Sequence, residues 1–277
     1  MSIGIWSTEI AMTLDLVLVG NGAWGKNYVS TLANFSGVNL QVATRQNWKS
    51  LIDNRPDGVM ICTPPDTHVE LASYALKRGI PTMIEKPLCL SLAEAEILEQ
   101  FGAPILVNHI HLFSEAYQNL RDMSRQFPIS KIVSLGFNNG PTRPYSSLWD
   151  YGCHDLSMIL DLAQEMPQNI DVQEMRTDTG SLFNIKMDFG TFDTESLVGN
   201  GGQKRVRKLK IECGGLKVEY DDTCLSNYRS LPLTNALCVF QQAILGMQDY
   251  RLGLDLPLKV LKVLEICQER LSLTEHH

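Results

Sequence analysis

The sequence predicts an α/β domain on a parallel sheet, followed by an α+β unit whose strands pair mostly antiparallel. Two observations carry this. Up to about residue 110, short apolar runs alternate with helix-like segments. Beyond it, strand-like runs follow one another with few helical signals between them.

The elements follow in order. Asp15 to Gly20 (DLVLVG) is an apolar run that stops at glycine, as a buried parallel strand does. Trp24 to Phe35 reads as a helix, 38–44 as a strand, 47–53 as a short helix, and 58–63 (GVMICT) as a strand ending at Pro64-Pro65. Thr67 and Glu70 have capping-box spacing and open a helix that closes with Lys77, Arg78 and Gly79. Strand 81–85 follows. Ser91 and Glu94 form a second capping box for a helix to about Gln100, and 104–108 (PILVN) is the fifth strand. In the second half, helices near 114–126 and 149–163 flank a strand at 131–138. Strands follow at 169–175, 181–190, 192–198, 205–212 and 216–220, then helices near 234–247 and 257–272. The predicted division is 1–110 and 111–277. Residues 1–11 read as a poorly ordered extension.

Composition narrows the function. With 31 acidic against 24 basic residues the net charge is -7, which argues against a nucleic-acid partner. No run reaches the roughly 18 to 20 apolar residues of a membrane helix, and the first residues lack the basic cluster of a signal peptide. Seven scattered cysteines without a CxxC pair point to reduced thiols and a cytoplasmic protein. No histidine or cysteine cluster has metal-ligand spacing, so no metal is expected.

Gly20-Asn21-Gly22-Ala23-Trp24-Gly25 fits GxGxxG after a strand and at the start of a helix, the setting in which that pattern marks a dinucleotide site. Gly20 permits the tight turn, Gly22 lets a pyrophosphate approach the backbone, and Gly25 lets helix and strand pack closely. The first helical amides then face the phosphates. The first unit is therefore expected to be a Rossmann domain. At the end of the second strand, where a carboxylate would hold a ribose hydroxyl, the chain has Thr44-Arg45. The arginine can accept a 2′-phosphate, which tilts the cofactor expectation within NAD(P) toward NADP, or it can be a solvated strand-end residue.

Three further segments occur in order: Thr63-Pro64-Pro65-Asp66-Thr67-His68, Glu85-Lys86-Pro87, and Asp150-Tyr151-Gly152-Cys153-His154-Asp155. Together with the glycine loop they resemble the glucose–fructose oxidoreductase, inositol dehydrogenase and rhizopine-catabolism (Gfo/Idh/MocA) family over nearly the whole chain. The resemblance implies NAD(P)-dependent chemistry on a sugar, polyol or related small molecule. It also implies a second domain on a large, open sheet through which copies pair into a homo-oligomer. It places Thr63, Pro64, Pro65, Glu85 and Lys86 at the cofactor. Lys86 matches the family's lysine near nicotinamide and substrate, Asp150 its aspartate, and His154 its proton-accepting histidine.

The chemistry has its own logic. Hydride transfer at a carbinol carbon needs a base for the hydroxyl proton and a cation for the developing alkoxide. Lys86 lies just beyond a strand's C-terminal end, where ligands bind in such sheets. Asp150 and His154, four apart at a predicted helix start, share one face, so the carboxylate is expected to orient the imidazole. His109 and His111, after the fifth strand, and Arg143 and Tyr145 are candidate substrate contacts. His68 is expected to support its loop.

One departure stands out. Relatives usually carry a helix and a strand between the second strand and the helix at Asn47, and this chain does not. Two rivals compete with an oxidoreductase of sugar-like compounds. A catalytically silent sugar or nucleotide sensor would not need Lys86, Asp150 and His154, and a reductase of an imine or tetrapyrrole would have less use for the Asp150–His154 pair. A P-loop hydrolase is excluded because Asn27 follows Gly25-Lys26.

Overall fold

The structure is a computed structural model that describes residues 13–223 and 230–274. The expectation of an extension at 1–11 falls outside these residues.

The first layer is a parallel sheet of β1 (Leu14–Val19), β2 (Val38–Ala43), β3 (Gly58–Ile61), β4 (Thr82–Glu85) and β5 (Ile105–Asn108), ordered β2-β1-β3-β4-β5. Every residue of β3, β4 and β5 is buried, which is why these strands are short continuous apolar runs. β2 is an edge strand whose outer positions reach solvent, because no further strand lies beyond it. The chain leaves β1 for β2 on one side and returns to β3 on the other. The crevice between the C-terminal ends of β1 and β3 is thus a topological switch point, where ligands bind in open α/β sheets.

The connecting helices are α1 (Ala23–Leu32), α2 (Trp48–Asp53), α3 (His68–Leu76) and α4 (Leu92–Glu96). The Ser91 side chain caps α4 by accepting from Glu94 N, as the capping box requires, but the helix tightens to a 3-10 turn over 97–100. The Thr67 capping box does not form. Pro65 starts a 3-10 turn that leaves Thr67 with helical backbone, and its hydroxyl donates to Thr63 Oγ1 and to the Pro64 carbonyl instead.

The second layer is a six-stranded sheet of β6 (Ile129–Phe137), β7 (Asn169–Thr177), β8 (Gly180–Asp188), β9 (Asp193–Gly199), β10 (Val206–Cys213) and β11 (Leu216–Asp221). Its order is β11-β10-β6-β9-β8-β7, antiparallel throughout except for the β6–β9 pair. One face packs against α6 (Ser147–Ala163) and α8 (Asp255–Thr274). Helix α5 (Glu115–Ser124) joins the layers, and α7 (Ser230–Ile244) packs against α1. The last helices also close the first layer. A Cβ on Gly58 would strike the Ile244 and Phe240 side chains, and Glu265 accepts the Leu92 amide at 2.7 Å.

Candidate active site

The glycine loop is built as its sequence requires. Gly20 has φ +104, and a Cβ there would sit 2.6 Å from the Cys62 carbonyl carbon at the end of β3. Gly25 packs so closely on the Gly20 carbonyl that no Cβ fits. Gly22 differs, because a Cβ there would meet nothing within 4 Å and the space over the loop is open. The first bond of α1 runs from Lys26 N to the Gly22 carbonyl, so the amides of Ala23, Trp24 and Gly25 precede the helical ladder. The helix has no side-chain cap and no acidic residue in its first turn. An N-terminus left uncapped above an open loop fits the pyrophosphate of a dinucleotide. At the neighbouring strand end, Thr44 is tied into a turn by the Asn47 carboxamide oxygen at 2.7 and 2.9 Å, and Arg45 is exposed.

Beneath the loop, polar side chains lock the strand ends together. Tyr28 donates to Glu85 Oε1 at 2.6 Å, and the Asn108 amide donates to the same oxygen at 2.7 Å and to the Tyr28 hydroxyl at 2.9 Å. Burial pushes the Glu85 carboxyl above its usual range despite these donors. Glu85 thus supports Lys86 from the interior. His68 is buried, with Nε2 2.7 Å from the Thr63 carbonyl and Nδ1 3.1 Å from that of Pro87. It joins the Thr63 loop to the Lys86 loop, the supporting place expected of it.

Lys86 reaches from the end of β4 to the first turn of α6. Its Nζ donates to Asp150 Oδ1 at 2.6 Å and to the Asp150 carbonyl at 2.9 Å. Arg143 Nε sits 3.3 Å from Asp150 Oδ2. Burial raises the Asp150 pKa, but the two cations outweigh it and hold the carboxyl below its usual range. The expected Asp150–imidazole pairing is therefore corrected: the carboxylate is bound to Lys86 and Arg143, and His154 Nδ1 is buried with no hydrogen-bond partner. The two residues share a helix face, but Lys86 offers the carboxylate a full charge.

Three histidines stand behind this pair. His154 meets His111 edge to face with centroids 4.9 Å apart, and His111 Nδ1 lies 2.9 Å from the Tyr220 hydroxyl. His109 is buried with neither ring nitrogen partnered. Burial drives all three below the ordinary imidazole value, His109 to about 3, and the Lys86 charge adds to the effect on each. All three are neutral at pH 7, and a neutral imidazole is the form that accepts a proton. Tyr145 is half-buried, and burial together with the Asp150 charge raises its phenol, which stays a donor.

Sequence reading missed the pairs that hold this cluster. Arg207 on β10 makes a buried ion pair with Asp155 on α6, and Arg205 pairs with Asp222 at 2.7 Å. Asp155 sits beside His154, yet nothing in the local pattern marks a partner 52 residues away. Among the described residues no group of histidine, cysteine or carboxylate side chains could hold a metal, and the six described cysteines are free. No described helix is long and apolar enough to cross a membrane.

Comparison with known proteins bears on this geometry. Residues 26–102 match the model of an oxidoreductase family with an NAD-binding Rossmann fold, Gfo/Idh/MocA. The chain is 28% identical to a solved protein of Magnetospirillum magnetotacticum MS-1 described as an oxidoreductase, with a TM-score of 0.81 over 92% of this chain and 99% of that one. This chain matches the Gfo/Idh/MocA family. Another relative is the 4-carboxy-2-hydroxymuconate-6-semialdehyde dehydrogenase of Sphingobium sp. (strain NBRC 103272 / SYK-6). It is 26% identical over 227 residues, which span 64% of this chain and 72% of the relative. The scyllo-inositol dehydrogenase of Lactobacillus casei, solved with NAD(H) and scyllo-inositol, shares the fold at 14% identity, with a TM-score of 0.80 over 93% of this chain and 96% of that one. The expected two-part architecture is the one observed, and its first layer matches the NAD-binding Rossmann fold of that oxidoreductase family over residues 26–102.

Proposed function

We propose that this chain is an NAD(P)-dependent dehydrogenase or reductase acting at a CH–OH or carbonyl carbon of a sugar, polyol or related small molecule. The observation that carries this is the bond from Lys86 to Asp150. It brings the end of β4, beside the dinucleotide cradle, against the helix face that bears His154.

Residues 20–25, with Thr63, Pro64 and Pro65, would hold the dinucleotide, whose nicotinamide supplies or accepts the hydride. Lys86 spends two N–H groups on Asp150 and keeps a third for the substrate oxygen, whose negative charge it stabilises as the proton leaves. His154 takes that proton. Its Nδ1 is sealed inside the protein, which leaves Nε2 as the acceptor. Asp150 positions Lys86, and Tyr145 lines the substrate side; the expected substrate contacts His109 and His111 lie behind the pair instead, His109 with both ring nitrogens buried and His111 bonded to Tyr220. Thr44-Arg45 favours NADP over NAD, since no carboxylate there repels a 2′-phosphate. A second copy of the chain would cover the sheet face opposite α6, where half-buried Val133, Leu135 and Leu197 lie among the Lys208–Glu219 and Lys186–Glu195 ion pairs. Sedimentation velocity tests that pairing.

Calorimetric titration with NAD+, NADH, NADP+ and NADPH, followed by a screen of polyols and sugars for cofactor reduction, tests the reading. Saturable binding and turnover support it. Absence of binding at millimolar nucleotide removes it, and binding without turnover moves the chain to the sensor class.

A further inference from the structure

The balance of charge around Lys86 carries information about the substrate. Two cations, Lys86 and Arg143, grip one carboxylate, Asp150. His109 and His111 are buried, and the Glu85 carboxyl is turned inward, where Tyr28 and Asn108 donate to it. Asp155 is matched by Arg207, and Asp222 by Arg205. Toward the open side of the site, two cations therefore share a single carboxylate.

Arg143 is the more exposed of the two cations. Lys86 and Asp150 are mostly covered, with side-chain exposures of 16% and 12%, whereas the Arg143 side chain is 50% exposed. Its Nε is anchored on Asp150 Oδ2 at 3.3 Å, so the guanidinium is oriented by the same carboxylate that holds Lys86. Among the described residues, no acidic side chain other than Asp150 is paired with it. The terminal NH1 and NH2 groups form the outer edge of a planar fork, whose geometry matches the two oxygens of a carboxylate. Because Lys86 and Arg143 bind opposite oxygens of one carboxylate, their free donors lie within the span of one small molecule.

We propose that Arg143 is a substrate-recognition residue and that the natural substrate carries a carboxylate a few bonds from its reacting hydroxyl or carbonyl carbon, as in a sugar acid or another hydroxy acid. This rests on the oxidoreductase reading above and specifies its substrate class. Lys86 takes the reacting oxygen and the Arg143 fork takes the carboxylate. The acid gives the Arg143 guanidinium, which shares Asp150 with Lys86, a carboxylate of its own.

The test uses the full chain saturated with its nicotinamide cofactor and matched probes: glucuronate against glucose, and gluconate against sorbitol. Binding is read by calorimetry and turnover by cofactor absorbance, in wild type, Arg143→Met and Arg143→Lys. The acid of each pair should be preferred. Arg143→Met should shrink the acid-to-neutral ratio about ten- to a hundredfold, the worth of a charge-assisted bidentate contact, and Arg143→Lys should keep part of it. The proposal is overturned if neutral partners are preferred, if glucose 6-phosphate outcompetes the acids, or if Arg143→Met leaves the ratio unchanged. If the acids bind in an Arg143-dependent way without hydride transfer, the anion site stands and the oxidoreductase reading falls.

Discussion

The two ends of the candidate site are made of different material. At the switch point the chain offers backbone: the amides of Ala23, Trp24 and Gly25 over an open Gly22, with no acidic side chain in the first turn. At the Lys86 end it offers side chains drawn from the end of β4, from α6, from β10 and from the segments that precede α5 and α6, most of them buried, with Lys86 and Arg143 sharing Asp150 and Arg207 matched to Asp155. The first end depends on shape and tolerates no bulk. The second depends on charge state and tolerates no change of ionisation. This difference decides which substitutions should hurt, and how.

The largest effects should come from the side-chain end. Lys86→Ala and His154→Ala should each lower turnover by about 10² to 10⁴, the range for general acid–base groups, while dinucleotide affinity holds. Steady-state kinetics paired with calorimetry checks this. A matching loss of cofactor affinity would mean that the two ends are not separable.

At the backbone end, two glycines should part company. Gly22→Val should abolish dinucleotide binding at unchanged melting temperature, because its Cβ points into open space. Gly25→Ala should cost about 1–3 kcal/mol of stability, as overpacking does, because the Gly20 carbonyl occupies the place of its Cβ. Thermal melts of both variants separate ligand space from packing.

A third test concerns ionisation. An imidazole whose pKa is lowered in the fold binds fewer protons folded than unfolded below its unfolded value of about 6.5. His109, at about 3, with His111 and His154, should therefore make the protein lose stability as pH falls from 6.5 toward 3, with full stability retained above 6.5. His109→Gln should flatten that slope between pH 6.5 and 5, before most carboxylates titrate. Denaturant melts across this range provide the check. The smallest effect belongs to Arg45→Ala, which should weaken NADP(H) several-fold more than NAD(H); equal losses would show that Arg45 does not read the 2′-phosphate.

The same contrast explains what could be read from the sequence. Backbone demands are written locally. A tight turn needs glycine at position 20, a close helix–strand approach needs it at 25, and buried parallel strands need continuous apolar runs, so the loop and the five parallel strands were legible. Side-chain demands are written at a distance. The i,i+4 spacing of Asp150 and His154 correctly put both on one helix face, but it could not show that Lys86, 64 residues earlier, takes the carboxylate. The Tyr28–Glu85–Asn108 network and the Arg207–Asp155 pair were invisible for the same reason. Thr67 shows the limit of local pattern as well: its capping spacing was present, but Pro65 had already set the turn.

The central claim is that the glycine loop and the Lys86–His154 cluster serve one bound dinucleotide. A crystal structure of the chain soaked with NAD+ or NADP+ tests it most directly. The account predicts the pyrophosphate on the amides of Ala23, Trp24 and Gly25, with the nicotinamide ring beside Lys86 and His154. A dinucleotide seated elsewhere, or one whose nicotinamide points away from Lys86 and His154, would contradict it.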